Sequence, residues 1–335
     1  MTISLCMIVK DEEYFLPQCI ESIKDIVSEI IIVDTGSKDK TVEIAQKYTN
    51  NIYFFPWQDD FSSARNNALK YTNYDLVIMP DADEQLSEKS KQPLKELINF
   101  LYNNKSNKPV CCSFKFINYE NLYNKENYFI HFTPRLFNKK FFTFKGFIHN
   151  ELTYNNIKNI EPEYLTFEDI IIHHYGYTKE VIALKNKPKR TLKLITKSLQ
   201  YDPENPLYYF HIGMESIDPK SSIKAFERAI NLWLKSNDKN YLLKIACTKI
   251  ITIFLKQEKF DKAFQKIDEY KEFIEDQCDF WYELGCINLK IRKLDFAISC
   301  FEKALFLYEH GNNFYLTTTK EKILKISELL NIRNK

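Results

Sequence analysis

The chain has 335 residues, enough for two domains with cores of their own. Its 44% hydrophobic and 27% charged composition is that of a folded globular protein. A net charge of +2 leaves no global basic field for nucleic acid or an anionic membrane. The eight cysteines form no Cys-x-x-Cys pair, which argues against a zinc ribbon or a small disulfide scaffold and fits reduced thiols in a cytoplasmic protein. No apolar run reaches membrane-spanning length, so no transmembrane segment is expected.

The first half alternates strand and helix signals. Ile3 to Val9 is a short apolar run, and Glu13 to Ile26 has helical spacing. Ile30 to Val33 predicts a buried strand ending at Asp34. Thr41 to Tyr48 predicts a helix with Asp39 as its cap. Ile52 to Phe55, Ser62 to Tyr71 and Leu76 to Met79 then read as strand, helix and strand. This order predicts a mostly parallel sheet with helices on both faces. From Val110 to Phe147 the pattern becomes strand-like and aromatic, which predicts mixed or antiparallel strands. Beyond about Thr178 the signals are helical, and the expected domains are 1–190 and 191–335.

The helical part contains a repeat. Trp281, Leu284, Gly285, Ala297, Phe301 and Ala304 follow the tetratricopeptide pattern of large, small and aromatic positions. Ala263 lies 34 residues before Ala297, with Ile267 and Tyr270 in the places of Phe301 and Ala304. Gly213, Ser222, Phe226 and Ala229 form a looser copy. A generic helical bundle is the alternative, and it also gives an all-α second domain.

The chemistry concentrates at predicted strand ends. Asp81 and Asp83 emerge after Leu76 to Met79 with Ala82 between them, where open α/β sheets bind ligands. Two close carboxylates repel, and a divalent cation on oxygen ligands would remove the conflict. Asp34, before Gly36, is either a nucleotide contact or the start of an ordinary turn. Val9 and Glu12, at the end of the first strand, are either donor contacts or, for the acidic run, support for the next helix. Arg65 offers a planar cation to a diphosphate or a base, and Arg135 is a phosphate or acceptor contact. Glu151 is a candidate general base or a surface carboxylate, and His149 a candidate to orient a neighbour or the acceptor. Of His173 and His174, adjacent on a strand, one is expected to reach a metal.

In order along the chain, Ser4 to Glu13, Asp34 to Ser37, Phe61 to Asn66, Asp81 to Glu84, Gly146 to Glu151 and His174 to Tyr177 resemble the motifs of family 2 glycosyltransferases with the A-type nucleotide-sugar fold. The resemblance covers roughly Ile3 to Arg190. Asp11 stands where Asn is more usual, and Asn150 separates His149 from Glu151. The resemblance implies an inverting transfer from a UDP-sugar with Mn²⁺ or Mg²⁺. Val9, Glu12, Asp34, Arg65, Asp81, Ala82, Asp83 and Arg135 would line the donor. Asp81, Asp83 and His174 would hold the metal, and Glu151 and Asp83 would be catalytic. Joined to the helical repeats, the architecture resembles sublancin-type peptide S-glycosyltransferases of bacteria, in which the helices serve dimerisation or peptide contact. That implies a peptide or protein acceptor at Ser, Thr or Cys. A surface glycan or lipid-linked acceptor is the alternative, and an inactive helical-repeat scaffold is the alternative of another class.

Overall fold

The computed structural model describes residues 2–105, 107–123, 125, 128–148, 150–157, 160–184 and 187–310. His149 lies outside them. The chain divides into two units, residues 1–187 and 188–335.

In the first unit β1 (Ile3–Val9), β2 (Glu29–Asp34), β3 (Ile52–Phe54) and β4 (Leu76–Ile78) build one half of a sheet. The helices α1 (Leu16–Ile23), α2 (Thr41–Ala45) and α3 (Phe61–Leu69) connect them. All pairings in this half are parallel, and Leu5, Met7, Ile32 and Val77 are buried in it. The expected helix from Glu13 to Ile26 is shorter, because Pro17 occupies its first turn and the end tightens into a 3-10 turn over Lys24–Ile26.

Sequence reasoning passed over two elements, β5 (Glu84–Leu86) and α4 (Lys91–Lys105). The aromatic stretch forms β6 (Val110–Tyr119), β7 (Tyr128–Asn138), β8 (Phe142–Lys145) and β9 (Glu151–Tyr154), and β10 (Glu163–His174) follows. Among the described residues the main sheet runs β3-β2-β1-β4-β7-β6-β10-β5, and β8 and β9 make a separate antiparallel pair. β10 runs parallel to β6, whereas β7 is antiparallel to both β4 and β6 and β5 is antiparallel to β10. The sheet is therefore mostly parallel, with antiparallel pairings confined to the half that follows the Asp81 turn.

The helical unit holds α6 (Lys187–Tyr201), which begins at the division, then α7 (Pro206–Glu215), α8 (Pro219–Lys235), α9 (Tyr241–Lys256), α10 (Phe260–Ile274), α11 (Cys278–Lys290) and α12 (Leu294–His310). A short α5 (Lys179–Leu184) precedes them in the first unit. Asn205, Asp218 and Asn240 cap α7, α8 and α9 with side-chain acceptors, which fixes where each helix starts. The repeat residues sit where α7 meets α8 and α11 meets α12. A Cβ on Gly213 would come within 2.6 Å of the Phe226 ring, and one on Gly285 within 2.6 Å of the Phe301 ring. The hairpin of α9 and α10 has Ile251 and Ile267 at the positions 34 residues earlier than Gly285 and Phe301. Two mid-sized side chains there replace one absent and one large. No helix among the described residues is long and apolar enough to cross a membrane.

Candidate active site

The ends of β1 and β2 are opposed in register at Val9 and Asp34. The Asp34 carboxylate accepts the backbone N–H groups of Gly36 (2.9 Å) and Ser37 (3.1 and 3.2 Å). Gly36 has φ +109° with open space beside it, so backbone conformation demands the glycine there. The acidic run after β1 fastens the facing loop. Asp11 accepts from Lys38 N–H at 2.7 Å, and Glu13 accepts from Lys40 N–H at 3.1 Å. The Glu12 N–H donates to Thr41 Oγ1 at 2.7 Å, and the Glu13 N–H to Asp39 at 3.0 Å. Asp11 adopts φ 54°, a left-handed conformation that Asn and Asp tolerate, so Asp serves where Asn is usual. The N-cap of α2 falls on Lys40, which makes no side-chain cap, and not on Asp39 as expected; Asp39 accepts from Thr41 N–H at 2.9 Å from one residue further back.

Beyond β4 the charges close into a network. Arg65 of α3, itself buried, donates from Nη2 to Asp81 Oδ1 at 2.6 Å, with its guanidinium 5.3 Å from the centre of the Phe144 ring. Arg135 of β7 donates to both oxygens of Glu84, through Nε at 2.8 Å and through Nη2, and to Asp81 Oδ2 at 3.3 Å. Its guanidinium lies 5.2 Å from the centre of the Phe116 ring. The repulsion expected between Asp81 and Asp83 is thus met in part by two arginines of the chain itself. Both arginines, expected on the donor, have their charge turned to Asp81, and Asp81 is correspondingly less available as a metal ligand. Burial alone would raise the Asp81 carboxyl, but Arg65 and Arg135 outweigh it and hold the group below the ordinary carboxylate range. Burial pushes Glu84 up despite its arginine partner.

Asp83 and His174 form the second part of the site. The sheet register sets His174 between Glu84 on β5 and Asn118 on β6. His174 Nε2 lies 3.5 Å from Asp83 Oδ1, and both side chains are largely buried. His174 Nδ1 meets Asn118 Oδ1 at 2.7 Å. As strand alternation requires, His173 points to the other face, where Nδ1 bonds the Tyr119 hydroxyl at 2.8 Å. The turn carrying Asp83 is held by Tyr175 N–H donating to Asp83 O at 3.0 Å and Glu84 N–H to Asp81 O at 3.1 Å. Among the described residues no three His, Cys, Asp or Glu side chains converge as a cation cage. Asp83 and His174 would fit as two ligands of a divalent ion such as Mg²⁺ or Mn²⁺.

Glu151 stands apart from this network. It is exposed at the start of β9, in register with Lys145. Its hairpin is docked on α3, because Asn66 exchanges hydrogen bonds with the Phe144 backbone at 2.9 Å in both directions and Phe61 N–H donates to Phe147 O at 3.0 Å. Asn66 therefore fixes the segment. Asn118 and His131 were missed. For Asn118 the signal was a polar side chain at an inward position of an alternating strand, after Phe114 and Phe116.

A mostly parallel sheet with a carboxylate–imidazole pair at a strand end is the arrangement that comparison with known proteins bears on. Residues 4–162 match the family model described as glycosyl transferase family 2, and relatives named as glycosyltransferases support an enzyme of that class. A TPR repeat-containing protein of Synechococcus elongatus is 28% identical over 86% of this chain and 70% of its own length. The SPbeta prophage-derived glycosyltransferase SunS of Bacillus subtilis is 29% identical over 75% of this chain and 59% of its own. The chain therefore spans 59% of the length of that relative. Among solved structures, glucosyl-3-phosphoglycerate synthase of Mycobacterium tuberculosis with Mn²⁺ and UDP-glucose matches at 23% identity, with a TM-score of 0.29, over 34% of this chain and 43% of that one.

Proposed function

We propose that the chain catalyses an inverting, divalent-metal-dependent transfer of a hexose or N-acetylhexosamine from a UDP-sugar to a Ser, Thr or Cys side chain of a peptide or protein. The observation that carries this reading is the facing of Asp83 Oδ1 and His174 Nε2 at 3.5 Å, at the strand-end turn after β4. A carboxylate oxygen and the lone pair of a neutral imidazole are both acceptors, so either a proton or a shared metal ion would bridge them at that separation. Beside a diphosphate, a divalent metal ion would serve both the pair and the phosphate oxygens.

Asp83 and His174 would hold the metal. When bound, it would neutralise the charge developing on the departing diphosphate. Asp81, with 37% of its side chain exposed and the rest gripped by Arg65 and Arg135, would present a fixed acceptor to the ribose or the metal. Val9, Glu12, Asp34 and Ala82 would border the donor, with Asp34 shaping the uridine side through the turn it closes. Glu151, on the hairpin that α3 supports, would take the acceptor proton. The acceptor oxygen or sulfur then attacks the anomeric carbon, the bond from that carbon to UDP breaks, and the configuration inverts. The peptide acceptor rests on the resemblance of a transferase domain plus tetratricopeptide helices to the sublancin type, with the helices serving peptide contact or dimerisation. Eight cysteines that form no disulfide agree with a cytoplasmic site of action.

The test is intact-mass analysis of Ser-, Thr- and Cys-containing peptides incubated with the protein, UDP-sugars and Mn²⁺. A gain of one hexose or N-acetylhexosamine, absent with Asp83→Ala, supports the reading. Transfer to a glycan or lipid-linked sugar, with none to peptides, would move the acceptor to the other class.

A further inference from the structure

We propose that Asn118, braced by Phe129 and His131, is a positioning residue that fixes which nitrogen of His174 is bare, and so prepares His174 to share a divalent cation with Asp83. This rests on the metal reading given under Proposed function. The argument begins with the Asn118 amide, which is fully buried. Its Nδ2 donates to the Phe129 carbonyl at 3.2 Å. A carbonyl only accepts, so the amide has one allowed orientation. Oδ1 must then be the atom facing His174 Nδ1 at 2.7 Å. An acceptor at that distance requires a proton on Nδ1. A neutral ring with its proton on Nδ1 then has its lone pair on Nε2, the nitrogen that faces Asp83.

The same amide sets His131. Nδ2 also donates to His131 Nδ1 at 2.8 Å, so that nitrogen is an acceptor and His131 is neutral. His131 stacks on Phe116 at 5.2 Å and on Phe129 at 6.1 Å between ring centres, which keeps it in place without a further charge. The register explains the assembly. Asn118 opposes Phe129 on β7 and lies diagonal to His131, two residues further along that strand, on the same face as His174. A protonated His131 would lose its acceptor, and the amide would be pressed to turn. Outer hydrogen bonds of this kind commonly control a ligating imidazole, with 10–100-fold effects on metal affinity.

The test has two readouts that need no turnover. Nitrogen NMR of the metal-free wild-type protein reports the tautomer of His174, and a proton on Nδ1 with Nε2 bare is expected. Mn²⁺ binding by electron paramagnetic resonance is then compared for wild type, Asn118→Leu and Asn118→Asp. Asn118→Leu is expected to weaken Mn²⁺ about 10–100-fold. Asn118→Asp, whose carboxylate still accepts from Nδ1, is expected to recover most of that loss. A proton on Nε2 with Nδ1 bare in the wild type overturns the proposal even if Asn118→Leu does not fold. Wild-type binding matched by folded Asn118→Leu overturns it while leaving the metal site standing. No Mn²⁺ binding by the wild type removes the metal reading and this proposal together.

Discussion

Glu84 is 2% exposed and sits in the core as a carboxylate because Arg135 meets both of its oxygens. Removing the guanidinium leaves a buried charge with its main partner gone, so Arg135→Met is expected to destabilise the protein by about 3–5 kcal/mol. Adding Glu84→Gln should recover part of the loss, because a neutral amide tolerates that burial better. Urea unfolding of the two variants measures both effects, and equal stability of Arg135→Met and wild type would deny the pair its role. His131 gives a pH dependence. Burial first, then His174 and Arg135, push it down to about 4 from an ordinary 6.5. Between those values the unfolded chain binds a proton that the folded chain does not, so stability rises with pH across the window. Acidifying from pH 7 to pH 5 should cost about 2 kcal/mol from this residue. His131→Phe, which keeps a ring against Phe116 and Phe129, should flatten that slope in urea titrations, and an unchanged slope would place the dependence elsewhere. At this scale Asp81, Asp83 and His174 were legible, because strand-end carboxylates and a paired-histidine strand leave local patterns. The partners of Arg65 and Arg135 were not, since those pairs join positions 16 to 54 residues apart and only the sheet order brings them together.

Among the elements, β1 to β4 and their helices were readable because each buried strand is a continuous apolar run. β5 was hidden by its length of three residues and by Glu84, a buried acid that breaks the apolar pattern. In the helical unit the repeat was readable because its small and large residues answer one another across each hairpin. That complementarity makes a sharp prediction. Gly285→Ala drives a Cβ to within 2.6 Å of the Phe301 ring, and overpacking of this kind costs roughly 1–3 kcal/mol. Phe301→Leu in the Gly285→Ala background should return part of it. Thermal melts of the single and double variants decide the matter, and a Gly285→Ala protein as stable as wild type would mean that α11 and α12 are less tightly apposed than they stand here.

At the scale of the whole molecule, the family match ends near residue 162, while the chain goes on into β10, which supplies His174, and then into the helices. The two proposed ligands therefore come from either side of that limit, Asp83 within the matched segment and His174 beyond it. Sequence order alone gave their identities, and the pairing of β10 with β5 and β6 is what unites them. The most direct measurement is release of UDP from UDP-glucose, UDP-N-acetylglucosamine and UDP-galactose by wild type, Asp83→Ala and His174→Ala, each with Mn²⁺, Mg²⁺ or EDTA and a mixture of Ser-, Thr- and Cys-containing peptides. The account predicts release from at least one donor that needs a divalent ion and falls at least 100-fold in both variants. Release that persists in EDTA, or that survives in Asp83→Ala, would contradict it.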